Sequence, residues 1–375
     1  MKALVTGSHF TPAQAVIKEL KKFKDIDIVY IGRKTTIEGD KTPSVESKVL
    51  PTLGVKYLTI TAGRLQRSFT PYTFLSLLKI PVGFVQSFAI LLNEKPDVVI
   101  SFGGYVAVPT VFSAWLLNIP VIIHEQTLVT GLANTISSFF ADKIAVSFKD
   151  AVLFDKRKQV VTGNPMREEL VNFAEEGLEE FIKIAKKAKS EKLPLILVTG
   201  GNQGSHLLNQ TIGEILDELT EISFVIHQTG DSKYKDFEYL KENQIKNPER
   251  YLVKKWIDAK DVGYIFKNID LAVSRAGINT LQELSYFGIP TLLVPIPYLY
   301  KNEQEVNAKF FKELGLAKVI KQSELDGQKL LETIKEAFSK LTELKERAKR
   351  SKEVVILDAA KRLTQEILIL AEKKE

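Results

Sequence analysis

Short apolar segments that end in glycine, each leading into an amphipathic helical stretch, recur along most of this chain and restrict its fold more than any other feature. ALVTG (3–7) runs into TPAQAVIKELKKF, where Pro12 suits a first helical turn and Ala13, Val16, Ile17 and Leu20 share one face. DIVYIG (27–32), VKYLTI (55–60) and PDVVISFGG (96–104) are the next strands; the helix VPTVFSAWLLN and the strands PVIIHEQ (120–126) and ADKIAVSF (141–148) follow. This recurrence reads as a parallel sheet covered on both faces. A second series starts after VVTGNPMR (160–167), with strands PLILVTGG (194–201), SFVIHQTG (223–230), YLVKKWI (251–257), DLAVSRAG (270–277), PTLLVPI (290–296) and AKVI (317–320). Helices such as SHLLNQTIGEILDEL and NTLQELSYFG fill the gaps. At 375 residues the chain is also too long for one ordinary core. The expectation is α/β: two doubly wound units, 1–163 and 164–345, and a charged helical tail, 346–375, able to pack back on the first.

Cysteine is absent, which excludes disulfides, thiolate nucleophiles and Cys-ligated metal centres and makes a reducing compartment the default. The net charge of +6 is compatible with an anionic partner: a nucleotide, a phospholipid surface or RNA. The chain opens on the strand-like KALVTG without a leader, and the apolar stretch 69–92 is interrupted by Pro71, Lys79, Pro81 and Gly83. A protein that touches a membrane without spanning it is expected.

Three glycine-bearing turns follow strands: VTGS (5–8), SFGGY (101–105) and VTGGNQGS (198–205). In open parallel sheets ligands bind at these carboxyl edges. Gly200, Gly201 and Gly204 either let backbone approach a diphosphate ahead of a helix starting near Ser205, or simply make a tight turn. None of the three is a Walker A loop. His9, beside the first strand, is either a general base or a bland loop residue. His124, next to Glu125 and Gln126, either lines a site or holds a neighbour by hydrogen bonding, while His206 and His227 read as structural or solvated. No histidine pair has metal-ligand spacing. Glu283 either completes a capping box with Thr280 or grips the two hydroxyls of a ribose. Between Ser47 and Asn93 no acidic residue occurs, and Lys48, Lys56, Arg64, Arg67 and Lys79 punctuate a run rich in Phe, Leu, Ile and Val. That mixture suits either an interfacial segment on an anionic membrane or an ordinary buried helix.

Together these motifs are similar to the MurG family of glycosyltransferases. SFGGYVAVPTVFSAWLLNIPVIIHEQTLVTGLAN (101–134) carries the strongest likeness, joined by VVTGNPMR, VTGGNQGSHLLNQ, WIDAKDVGYIFKNIDLAVSRAGINTLQEL, GIPTLLVPIPY and NEQEVNA. The resemblance implies a GT-B fold, two Rossmann-like domains facing an interdomain cleft. It implies inverting, metal-independent and cofactor-free transfer of N-acetylglucosamine from UDP-GlcNAc to lipid I, undecaprenyl-diphospho-muramoylpentapeptide, giving lipid II for peptidoglycan. The partners so implied are UDP-GlcNAc, the lipid-linked acceptor and an anionic membrane surface, with no nucleic acid. The protein would sit peripherally on the cytoplasmic face of the bacterial membrane.

Carried onto this chain, the resemblance implies a donor site of Arg167, Gly200, Gly201, Asn202, Gln203, Gly204, Ile278, Asn279, Thr280, Leu281 and Gln282. Ile257 would meet the uracil, Glu283 the ribose, and Glu303 and Gln304 the sugar. Thr6, Gly7, Ser8 and His9 match the family's TGGH loop, making His9 the base; Gly103, Gly104, Tyr105, Glu125, Gln126 and Thr127 would lie on the acceptor side or line the cleft. Arg64, Arg67 and Lys79 would face the membrane. The chain departs from the family pattern in a shorter first glycine loop and at Thr127, Asn202 and Glu303, the last placing a negative charge near the sugar. The rival expectations are a transferase with another acceptor, a UDP-sugar epimerase, and a non-catalytic module that binds UDP-sugar or phospholipid.

Overall fold

The computed structural model describes the chain apart from residues 34–43, 62, 64–70, 150–153, 172–177, 202, 232–233 and 373–375, and at 71–78 and 171 describes backbone alone. Arg64, Arg67 and Asn202 therefore lie outside the described residues. Two compact units emerge, 1–167 together with 356–375, and 168–355.

Among the described residues the first unit carries seven parallel strands: β1 (Lys2–Thr6), β2 (Asp27–Gly32), β3 (Lys56–Thr59), β4 (Val98–Ser101), β5 (Val121–Glu125), β6 (Lys143–Val146) and β7 (Gln159–Val161). Their order is β3-β2-β1-β4-β5-β6-β7. Alternation along each strand sends neighbouring side chains to opposite faces. Ala3, Val5, Val98, Ile100 and Ile122 pack with Val16, Ile17 and Leu20 of the helix Phe10–Leu20 and with Leu363 and Ile367 of the helix Ala359–Glu372. Leu4, Val99, Val121 and Ile123 go the other way, toward Leu91 of the helix Pro71–Glu94 and Val111 and Ala114 of the helix Ala107–Leu116. A sheet buried on both faces has no polar alternate positions, so its strands read as unbroken apolar runs.

The second unit repeats the scheme with β8 (Leu195–Thr199), β9 (Phe224–Gln228), β10 (Tyr251–Lys254), β11 (Leu271–Ser274), β12 (Thr291–Leu293) and β13 (Ala317–Val319), ordered β10-β9-β8-β11-β12-β13. Leu195, Leu197, Phe224 and Ile226 meet Phe181 and Ile184 on one face; Ile196, Val198 and Val225 meet Leu208, Ile212, Leu330 and Ile334 on the other.

The structure departs from the sequence expectation in three places. The units divide at 167/168 and 355/356, so 346–355 stay with the second unit and only 356–375 pack with the first. Within that segment Leu363, Ile367 and Leu370 repeat at helical spacing and enter the first core, which decides where the tail belongs. β7 lies inside what reads as a junction, because its three residues, half-buried Gln159 and Val160 and exposed Val161, form an edge strand too short for a distinct apolar run. Finally, SHLLNQTIGEILDEL is two helices, His206–Glu214 and Leu216–Ile222, interrupted at Ile215 with φ −118° and ψ 13°.

Candidate functional site

In each unit the strand order reverses direction at its first strand, opening a crevice at the carboxyl ends of β1 and β4 and of β8 and β11. The glycine turns fall at these two points.

At the first, Gly7 has φ +137°, and a Cβ there would approach Phe102 C to 2.8 Å, so only glycine fits. Buried Thr6 ends β1, and the Tyr30 hydroxyl donates to Gly7 O at 2.9 Å. The Ser8 N–H donates to Gly103 O at 3.0 Å, and a Cβ on Gly104 would fall 1.9 Å from Ser8 Oγ. This short turn is thus held from three directions. His9 is half-buried, and its Nδ1 lies 2.7 Å from Phe102 O. A carbonyl can only accept, so Nδ1 carries a proton, and in the neutral ring the lone pair is on Nε2. Tyr105 is half-buried beside the Gly103–Gly104 turn.

Glu125, Gln126 and Thr127 are all buried. Glu125 does not present an open carboxylate: Oε1 accepts from Thr127 N–H (3.1 Å) and Thr127 Oγ1 (2.9 Å), and Oε2 from Gly131 N–H (3.1 Å) and Asn134 Nδ2 (3.0 Å). Three donors from the loop that follows β5 and one from Asn134 of the helix Leu132–Ser137 make Glu125 the organiser of that segment.

Two histidines are deeply buried and neutral. His124 Nε2 donates to Gly163 O at 3.1 Å while Nδ1 has no partner, and burial pulls its pKa down to about 4. His227 donates from Nε2 to Asn209 Oδ1 (3.0 Å) and accepts from the Tyr251 hydroxyl (2.9 Å); burial takes it to about 3. Both folded values lie below the unfolded value of about 6.5, so the unfolded chain binds more protons in the interval. Stability from these groups is complete above pH 6.5 and is lost as pH falls, by about 1.4 kcal/mol per unit per histidine, down to roughly pH 4 for His124 and 3 for His227. Urea midpoints measured from pH 7 to pH 4.5 should fall steeply, and His124→Asn should flatten the dependence; a flat wild-type profile would contradict the neutral assignment.

At the second crevice, the Gly201 N–H donates to Thr199 Oγ1 (3.0 Å) and the Gly204 N–H to Gly201 O (3.1 Å), so both amides serve the loop itself. Further amides lie at the start of the helix His206–Glu214, whose N-cap Ser205 accepts from Leu208 N–H. Gly200 has no room for a Cβ, which would sit 2.4 Å from Ser205 N, and at Gly204 (φ +72°) a Cβ would sit 1.8 Å from Thr229 O. Gln203 is exposed.

After β11, the helix Ile278–Phe287 starts from Gly277 without a side-chain cap. Asn279 and Thr280 are half-buried, and Ile278, Leu281 and Gln282 are buried. Glu283 is 5 % exposed and is the sixth residue of the helix. Thr280 is not its N-cap and Glu283 is not in its first turn, so the capping-box reading is withdrawn. Gln304 Oε1 accepts from Ala276 N–H (3.2 Å) and Ile296 N–H (3.0 Å), which fixes the amide and leaves Nε2 as the presented donor. Asn307, fully buried and unremarked in the sequence, donates from Nδ2 to Ala276 O at 3.1 Å and so holds the same residue by its carbonyl. Glu303 opens the helix Glu303–Glu313, where an acidic group suits the N-terminal dipole. The Ile257 side chain belongs to the second-unit core, and Arg167 is half-buried. Arg275, a buried residue that sequence reasoning passed over as the end of a strand, donates to Ser205 Oγ at 2.8 Å. Among the described residues no group of three or more His, Asp or Glu could hold a metal.

Two successive Rossmann-like parallel-sheet domains, each with a glycine turn at its switch point, define a GT-B glycosyltransferase architecture. The chain belongs to glycosyltransferase family 28, whose N-terminal domain matches residues 4–146 and whose C-terminal domain matches residues 195–363. It is 34% identical over 365 residues, 96% of each chain, to the UDP-N-acetylglucosamine--N-acetylmuramyl-(pentapeptide) pyrophosphoryl-undecaprenol N-acetylglucosamine transferase of Caldanaerobacter subterraneus subsp. tengcongensis. Among solved structures it resembles MurG of Acinetobacter baumannii, with TM-score 0.71, 24% identity and coverage of 98% of this chain and 99% of that one. It also resembles the UDP-GlcNAc 2-epimerase of Neisseria meningitidis bound to UDP-GlcNAc, with TM-score 0.61, 15% identity and full coverage of both chains, 100% each.

Proposed function

We propose that the chain transfers N-acetylglucosamine, with inversion, from UDP-GlcNAc to an undecaprenyl-diphosphate-linked N-acetylmuramyl-pentapeptide, and that it works peripherally at the cytoplasmic face of a bacterial membrane. The observation that carries this reading is His9: an imidazole held at the first switch point with its Nδ1 proton committed to Phe102 O, leaving Nε2 to receive a proton from the acceptor hydroxyl. The name of the Caldanaerobacter relative supports the choice of donor and acceptor.

In this mechanism the first unit holds the acceptor along Thr6 to Ser8 and Gly103 to Tyr105, and the deprotonated hydroxyl attacks the anomeric carbon opposite the leaving UDP. The second unit holds the donor: Glu283 the ribose, Gln304 Nε2 the sugar, and the amides at Ile278 to Thr280 and at the start of the helix His206–Glu214 the diphosphate, with Arg167 assisting. Helix N-termini aimed at an anion stabilise charge that grows as UDP departs. Because the Ile257 side chain is in the core, its contact with uracil is through its backbone.

The test is single-turnover incubation with UDP-GlcNAc labelled in the sugar and a vesicle-borne lipid-linked muramyl-pentapeptide. Label moving to the lipid is the expected result; label leaving the gluco configuration in free nucleotide sugar would favour an epimerase, and unchanged substrate a binding module.

The membrane contact we assign to the helix Pro71–Glu94. Val82, Val85, Phe88 and Leu92 recur at helical spacing and are exposed, Val85 by 70 %, with Lys79 one turn before Val82; Trp115 and Phe139 of the same unit are exposed as well. Among the described residues no helix is long and apolar enough to cross a membrane. Burying a large apolar side chain stabilises by about 1.5–3 kcal/mol, and each nearby cation adds about 1 kcal/mol on an anionic surface. Val85→Asp with Phe88→Asp should therefore lower sedimentation with anionic liposomes by roughly 100-fold and leave UDP binding unchanged. Sedimentation insensitive to the pair would return this face to some other use.

A further inference from the structure

We propose that Arg275 recognises a diphosphate: its guanidinium is set into the carboxyl edge of the second sheet without a carboxylate partner, and the diphosphate of a nucleoside-diphosphate sugar supplies the missing charge. The inference rests on the donor reading above and deepens it. Arg275 follows β11 directly and is 6 % exposed. Nε donates to Ser205 Oγ (2.8 Å), and Nη1 to Val294 O (2.9 Å) and Gln322 Oε1 (2.9 Å). All three acceptors are neutral. Nη2 makes no hydrogen bond among the described residues, and no Asp or Glu pairs with the side chain there.

A buried cation that lacks a counter-ion is costly, and burial does work against the charge of Arg275. The guanidinium nonetheless remains protonated near neutrality. Such a group persists where an anion completes it, and its location says which anion. Ser205 joins the glycine loop 200–204 to the helix His206–Glu214, and its Oγ accepts from both Arg275 Nε and Leu208 N–H, which leaves the hydroxyl proton to donate. Two residues beyond Arg275, Gly277 begins the helix Ile278–Phe287 with no side-chain cap. One fixed cation, one hydroxyl and two helix N-termini therefore belong to the same pair of loops, and each favours phosphate oxygens. Three bonds hold the planar guanidinium rigidly, so little entropy is lost when Nη2 takes a ligand.

The test compares UDP with uridine by calorimetry, because the two share base and ribose and differ in the diphosphate. In the full chain, Arg275→Gln should weaken UDP by roughly 10- to 100-fold and shift uridine by less than about threefold, collapsing the preference for UDP. Arg275→Lys, which keeps a charge but loses the fork, should weaken UDP by about tenfold and carries the test if the Gln variant does not fold. A wild-type ratio of UDP to uridine affinity in whichever variant folds would overturn the role of Arg275 and leave the donor reading intact. A wild-type chain that binds neither compound would overturn the donor reading and this inference with it.

Discussion

His9→Ala should lower turnover at saturating donor and acceptor by roughly 10²- to 10⁴-fold and change UDP affinity by less than about threefold. The split follows from the geometry. Nδ1 is committed to Phe102 O at 2.7 Å, so the ring has one orientation and one tautomer, and Nε2 is the atom that can take a proton. Proton removal matters only as the acceptor hydroxyl attacks, hence the loss falls on the chemical step and spares the donor, which we propose the second unit binds. The substitution should not unfold the chain. His9 occupies the N-cap position of the helix Phe10–Leu20 but its side chain does not cap it, so what is lost is one hydrogen bond of about 1 kcal/mol. His9→Gln can keep a donor to Phe102 O yet has no base, and should be as slow as the alanine variant. Near-wild-type turnover in either would remove His9 from the chemistry; Glu125 would be a poor replacement, since both its oxygens are engaged by Thr127, Gly131 and Asn134.

How far the sequence reaches depends on whether the deciding force is local. Among the described residues most strands were legible because burial of their faces demands apolar runs, and β7 was not, because it is a three-residue edge strand that ends in exposed Val161. The glycine turns were legible as turns, since Gly7, Gly104 and Gly204 have positive φ and face backbone or side-chain atoms too close for a Cβ. Which amides they offer was not legible: Gly201 and Gly204 carry the right residue type but their N–H groups close the loop on itself. Glu125 sits in a motif that suggested cleft lining; that Thr127, Gly131 and Asn134 all donate to it depends on a path of the chain that only the fold determines. Arg275 escaped notice for the converse reason, because an arginine at the end of a strand looks solvated until Ser205, Val294 and Gln322, brought together from separate parts of the chain, enclose it.

Glu283→Gln should abolish most of the chain's preference for UDP over 2′-deoxy-UDP and weaken UDP itself by roughly 10- to 100-fold. The prediction depends on where the helix begins. Had Thr280 been the N-cap, Glu283 would have lain in the first turn and satisfied backbone amides, and its loss would have cost helix stability. The helix starts instead at Ile278, after Gly277, which moves Glu283 into the second turn, 5 % exposed, beyond the reach of that role. A carboxylate can accept from both ribose hydroxyls at once, whereas the amide of Gln replaces one acceptor by a donor and removes the charge that strengthens both bonds. Removing the 2′-hydroxyl from the ligand deletes one of the same two bonds from the other side, so the variant and the deoxy ligand should be strongly non-additive. Additive losses, or a Glu283→Gln chain that still prefers UDP to 2′-deoxy-UDP by the wild-type factor, would place the ribose elsewhere and leave Glu283 as a buried carboxylate that stabilises the helix Ile278–Phe287.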